Sequence, residues 1–216
     1  MIKAVIFDMD GVMVDTEPLS FKAYSMLLYK KGFKYTMEFH DSIQGCMEYE
    51  VARKIKMHYS LSESPEELSV LRNKIYLRLL EEKIPVIEGL LPLLKHIHNK
   101  NLKCALVTGT SRDTTETILD KLKIRHYFNF IVCGDEVEEG KPNPWIYNYA
   151  IENLKIQSDS CLVLEDSNNG ITAALRAGCR VITVNSSWTD KSESNIIAYR
   201  HNLNEVDKII DKLICD

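Results

Sequence analysis

The stretch AVIFDMDGVMVD (residues 4–15) sets four apolar residues directly against two acids, Asp8 and Asp10, with Gly11 behind them. An apolar run this short, without in/out alternation, reads as a strand buried on both faces, as in a parallel sheet. Side chains two apart on an extended chain point the same way, so the two carboxylates face one point. Like charges at that range repel and shift each other's protonation unless something neutralises them. The neutralising groups have to come from elsewhere in the chain.

Four more apolar runs predict strands at residues 103–107, 130–133, 161–164 and 181–184, with the first at 3–7. Helical patterns fall between and after them, at 90–99, 113–122, 144–153, 170–177 and 205–213. Asn143-Pro144 reads as an N-cap followed by proline at the first helical position, and Gly178 as a helix end. This alternation predicts an α/β fold, a doubly wound parallel sheet with helices on both faces. One region departs from it. Between Thr16 and Lys83 no strand is legible, whereas residues 18–31 show helical spacing up to Gly32. Ser64-Pro65-Glu66-Glu67 is a capping box opening a helix to about Glu82. Residues 16–83 therefore read as a small helical domain inserted into a core made of residues 1–15 and 84–216.

Composition is that of a soluble globular chain: 216 residues, 45% hydrophobic and 27% charged. A formal net charge of -4 offers no nucleic-acid surface and no attraction to an anionic membrane. No apolar stretch is long enough for a membrane span, and the start lacks the basic and apolar regions of a secretion signal. The six cysteines include no C-x-x-C pair, and Cys104, Cys133 and Cys161 sit in or beside apolar runs. They read as reduced core thiols, which sets the expectation of a cytoplasmic protein. Nothing in the sequence demands more than a monomer.

In an open parallel sheet, ligands bind beyond the carboxyl ends of the strands. Asp8 and Asp10 follow the first strand, and Thr108-Gly109-Thr110-Ser111 the second. Gly140-Lys141-Pro142 comes some residues after the third, and Glu165-Asp166-Ser167 closes the fourth. Singly, each reads as a turn, a helix cap or a surface charge. Together they deliver four carboxylates, hydroxyls and a lysine to one edge. Such an acid cluster needs a cation, and hard oxygen donors suit Mg²⁺ or Ca²⁺. An EF-hand is excluded, because Gly11 is at the wrong loop position. A Walker A loop is excluded because GDEVEEGKP has five residues between its glycines and proline after the lysine. Thr108, Gly109 and the N–H groups after them suit phosphoryl oxygens, and Lys141 supplies a compact positive charge. In this arrangement Asp8 attacks phosphorus, and Asp10 protonates the leaving oxygen and then deprotonates water.

These segments resemble the four motifs of the haloacid dehalogenase superfamily of phosphatases and phosphomutases. DMDGVMVDTEP is similar to the first motif, Thr108 in LVTGT to the second, Lys141 in GKPNP to the third and LEDSNNG to the fourth. The resemblance implies Asp8 as nucleophile and Asp10 as acid/base, with Mg²⁺ at Asp8, Asp10, Asp166 and neighbouring Glu165. It also implies that the helical insert, placed as in the β-phosphoglucomutase-like subfamily, is a cap that closes over the substrate and selects it. Dehalogenases lack the second acid of the first motif, so Asp10 speaks against dehalogenation. Where the mutase has a histidine, a lysine and an arginine, this chain has Ser20, Gln44 and Glu48; the family's cap glycine is Gly45. Those departures favour hydrolysis, and DTEP resembles the sugar-phosphate phosphatases. The expected substrate is a small phosphorylated metabolite, with sugar or sugar-alcohol phosphates, a nucleoside monophosphate and phosphoglycolate all in range. A phosphomutase is the alternative activity, and a non-catalytic phosphometabolite-binding protein the third reading.

Overall fold

The computed structural model describes residues 1–43, 48–190 and 192–215. Gln44, Gly45 and Cys46 of the sequence reading lie outside the described residues. The chain divides into two compact units, Met1–Asp15 with Pro85–Asp216, and Thr16–Ile84. In chain order the elements are β1 (Ala4–Phe7), α1 (Glu17–Tyr29), α2 (Met37–Asp41), α3 (Glu48–Tyr59) and α4 (Pro65–Glu82). They continue with α5 (Leu90–Asn99), β2 (Lys103–Val107), α6 (Arg112–Leu122), β3 (Phe130–Val132) and α7 (Trp145–Leu154). Last come β4 (Cys161–Glu165), α8 (Asn168–Arg176), β5 (Arg180–Val184), β6 (Ile196–Arg200) and α9 (Val206–Cys215).

All six strands of the first unit pair in parallel, in the order β3-β2-β1-β4-β5-β6. β1 and β4 are buried along their whole length, as their unbroken apolar runs require. α7 and α8 pack on the sheet through Ile146, Tyr147, Ala150, Ile171 and Ala174. The chain winds outward through β2 and β3, then crosses to β4, so the order reverses beside β1. That reversal opens the crevice where doubly wound sheets take ligands. Phe7 lies opposite both Leu106 and Leu164, so Asp8, Val107 and Glu165 leave their strands at one level. The sequence reading missed β6: its residues are only half-buried, the weak signal of an edge strand. Pro144 stands just before α7 rather than inside it, and Asn143 Oδ1 accepts from Trp145 N at 2.9 Å.

The second unit is helical among its described residues, with Tyr24, Leu28, Tyr35, Ala52, Ile55 and Leu68 in its core. Its longest helix, α4, starts on the capping box legible in the sequence: Ser64 Oγ accepts from Glu67 N, and Glu67 returns a carboxylate to Ser64 N. Cys104, Cys133, Cys161 and Cys179 are buried, unbridged thiols, and burial pushes the Cys133 thiol up to about 11. No described helix is long and apolar enough to cross a membrane.

Candidate active site

Asp8 is the first residue past β1, buried, with its N–H donating to Leu164 O at 3.0 Å. Lys141 reaches it from the loop after β3: Nζ donates to Asp8 Oδ1 at 2.5 Å, to Glu165 Oε1, and to Val107 O at 3.4 Å. One lysine thus ties together the ends of β1, β2 and β4. Glu165 is wholly buried and its carboxylate is filled with donors. Oε1 takes Lys141 and the Tyr147 hydroxyl (2.9 Å); Oε2 takes Asp166 N, Ser167 N and Ser167 Oγ at 3.0, 3.0 and 3.1 Å. Ser167 is also the N-cap of α8, accepting from Gly170 N at 3.0 Å.

Two glycines make room for the acids. Gly11 has φ +76°, and a Cβ there would run into Oδ2 of Asp166. A Cβ on Gly170 would run into the Glu165 carboxylate. Both glycines stand in motifs noted above, but which acid each one seats is set by the folded chain. Asp8, Glu165 and Asp166 bring one carboxylate oxygen each within 4.8 Å of one another. Asp10 is bonded by the turn that follows β2. Its Oδ2 accepts from Thr110 Oγ1 at 2.7 Å, with Thr108 Oγ1 at 3.5 Å, and Thr108 Oγ1 in turn accepts from Thr110 N at 3.0 Å. Thr108 is buried, while Gly109 is exposed at the turn.

Burial pushes the Asp8 carboxyl well above the usual range against the pull of Lys141, and the nearby acids push the same way. Burial and the Glu165 charge push Asp166 up to about 7. Burial opposes the Lys141 charge, but Asp8 and Glu165 hold its ammonium above its ordinary value. Three clustered acids on one lysine leave the site short of positive charge. An all-oxygen donor set with that deficit fits a hard divalent cation, and the space over Gly11 is taken by the Asp166 carboxylate, one of the three clustered acids.

All seven residues singled out from the sequence converge on the carboxyl edge of β1, β2 and β4. Tyr147 was not foreseen. It is fully buried on α7, its ring 5.1 Å under Lys141 Nζ and its hydroxyl on Glu165. A signal did exist. Tyr147, Ala150, Ile151 and Leu154 form the apolar face of a helix that starts just after Lys141, and a buried tyrosine hydroxyl must find a partner. Tyr147→Phe should keep the ring and strip one donor from a buried carboxylate, costing about 1.5–3 kcal/mol in urea unfolding. Unchanged stability would show that Lys141 and the backbone alone satisfy Glu165.

A model of haloacid dehalogenase-like hydrolases matches residues 5–184. The chain belongs to that family. It is 35% identical over 181 residues to a phosphorylated carbohydrates phosphatase of Thermotoga maritima, covering 82% of each chain. It is 31% identical over 193 residues to a β-phosphoglucomutase of Bacillus subtilis, covering 85% of this chain and 83% of the relative. A solved Thermotoga maritima structure of the β-phosphoglucomutase type superposes with TM-score 0.83 at 31% identity, covering 98% of this chain and all of that one. The protein is thus a phosphatase-type enzyme of this family, with a sugar phosphatase- or phosphomutase-like activity.

Proposed function

We propose that the protein is a Mg²⁺-dependent phosphomonoester hydrolase that works through an aspartyl phosphate on Asp8, with a small sugar-phosphate-like substrate. The observation that carries this reading is the Asp8 carboxylate at the end of β1, bound by Lys141 and clustered with Glu165 and Asp166. Asp8, Asp166 and the Asp10 carbonyl, with Glu165 beside them, would hold the ion, which when bound offsets carboxylate charge and polarises the phosphoryl oxygens. Asp8 forms an O–P bond as the ester O–P bond breaks. Asp10, oriented by Thr110, gives its proton to the leaving oxygen. It then takes a proton from the water that attacks phosphorus, releasing inorganic phosphate and restoring Asp8. Lys141 faces the charge that develops on the phosphoryl oxygens, and Thr108 with the N–H groups of the Gly109 turn complete the donor set. The helical unit, residues 16–84, serves as the substrate-selecting cap on the core of residues 1–15 and 85–216. The carbohydrate-phosphate relative supports the substrate class.

One observation favours a phosphomutase as second reading. Ser20 stands where the sequence comparison left no positive charge, yet Arg72 donates to Ser20 Oγ at 2.9 Å and stacks over Tyr24 and Tyr76. A mutase needs such a second cation for its bisphosphate. With β-glucose 1-phosphate among a panel of phosphomonoesters, we expect steady, Mg²⁺-dependent phosphate release that glucose 1,6-bisphosphate does not stimulate. Bisphosphate-dependent conversion to glucose 6-phosphate, outrunning phosphate release about tenfold, would establish the mutase instead. Binding of these esters without turnover would establish a sensor.

A further inference from the structure

Arg112 opens α6 four residues beyond Thr108, and no part of it enters the reaction described above. Its backbone N–H donates to both carboxylate oxygens of Asp135, at 3.0 and 3.1 Å, so an acid from the β3 loop caps α6. Its guanidinium grips Glu136 through Nε at 3.0 Å and Nη2 at 2.8 and 2.6 Å, and reaches Ile131 O at 2.9 Å. Glu136 in turn accepts from Cys133 N at 2.9 Å. On the inner side, Gly134 N donates to Thr110 O at 3.0 Å, and a Cβ on Gly134 would run into the Gly109 carbonyl. Two loops are therefore locked at one fixed spacing. One carries Thr108, Gly109 and Thr110. The other runs on from Glu136 to Lys141.

We propose that the Arg112–Glu136 clamp, with Asp135 capping α6, is a positioning device that sets the Thr108–Thr110 turn against the Lys141 loop for binding of the transferring phosphoryl group. It rests on the phosphoryl-transfer reading. The clamp touches no substrate. Bidentate arginine–carboxylate pairs fix geometry in a way that single surface ion pairs do not. Misplacing oxyanion donors by a fraction of an ångström is felt mainly in the transition state. The clamp's side chains are half-buried and bond each other, not the clustered acids, so it works by holding the two loops and not through its own charge. A surface ion pair that only knits loops together would instead affect melting temperature.

The test uses the full-length protein with Mg²⁺, well below its melting temperature, and follows kcat, KM, the Mg²⁺ dependence and inhibition by vanadate. Arg112→Ala and Glu136→Ala are each expected to lower kcat by about tenfold and to weaken vanadate inhibition similarly, with the Mg²⁺ dependence unchanged. Because the two residues share one clamp, the double variant should lose clearly less than the product of the two single losses, the remainder coming from the bonds that each makes outside the pair, Arg112 to Glu116 and Ile131 and Glu136 to Cys133. Arg112→Lys, which keeps the charge but not the fork, should show most of the loss; it also serves if the alanine variants fail to fold. Variants that melt earlier but keep wild-type kcat and vanadate inhibition would overturn the proposal, as would additive losses. A wild-type protein that neither releases phosphate nor binds vanadate would remove the phosphoryl-transfer reading itself, and the clamp's role with it.

Discussion

Asp8→Asn is expected to lower phosphate release by about three orders of magnitude or more while leaving the fold intact. The amide matches the carboxylate in shape and still offers Lys141 an oxygen, but it cannot attack phosphorus. Stability should move the other way or not at all. In the metal-free protein Asp8 is a buried acid whose carboxyl is pushed up by desolvation, with Glu165 and Asp166 crowding it. A neutral group in that place relieves the repulsion, so in EDTA the variant should unfold at or above the wild-type midpoint. The opposed signs are the mark of a residue kept for chemistry at the expense of stability. Wild-type protein with Mg²⁺ and fluoroberyllate should form an adduct that Asp8→Asn cannot. Turnover in Asp8→Asn within about tenfold of wild type would remove Asp8 from the nucleophile's place.

The central strands were legible because parallel strands buried on both faces read as plain apolar runs, and the site because chemistry-bearing residues stand straight after those runs. Asp8, Thr108 and Glu165 each sit within one residue of a strand end, so knowing the strand was knowing the edge. β6 was not legible, since an edge strand carries mixed burial and no unbroken apolar run. Partnerships were less legible than positions. Thr110 was visible as one of a polar cluster, but its bond to Asp10 depends on a turn that only folding defines. Arg112 and Glu136 are 24 residues apart and look like ordinary surface charges in sequence. The same holds for Arg72 and Ser20, separated by 52 residues, whose meeting puts a cation beside a position that the sequence shows only as a serine.

Lys141→Met should be the most damaging single change outside the nucleophile, because the lysine serves the chemistry and the fold together. It is buried between Asp8 and Glu165, and the pair members it leaves behind are buried too. Removing one partner of a buried, hydrogen-bonded ion pair costs about 3–5 kcal/mol, well beyond what the restored methionine packing returns. The pH dependence gives the cause a signature. In the folded state the Asp8 carboxyl already lies above its unfolded value, first through burial, with Lys141 as the opposing influence. An acid raised by folding is protonated more in the folded than in the unfolded chain, so its ionisation removes stability as pH rises above the ordinary carboxylate range. Taking away this lowering influence widens that gap. The stability lost in Lys141→Met relative to wild type, measured by urea unfolding in EDTA, should therefore be larger at pH 8 than at pH 5. A loss equal at both pH values would mean that the lysine contributes packing and hydrogen bonds but not charge. Turnover should fall by about two to three orders of magnitude and should not recover at saturating Mg²⁺, since the charge is missing from the transferring group and not from the metal site. Recovery at high Mg²⁺ would place Lys141 on the side of ion binding instead.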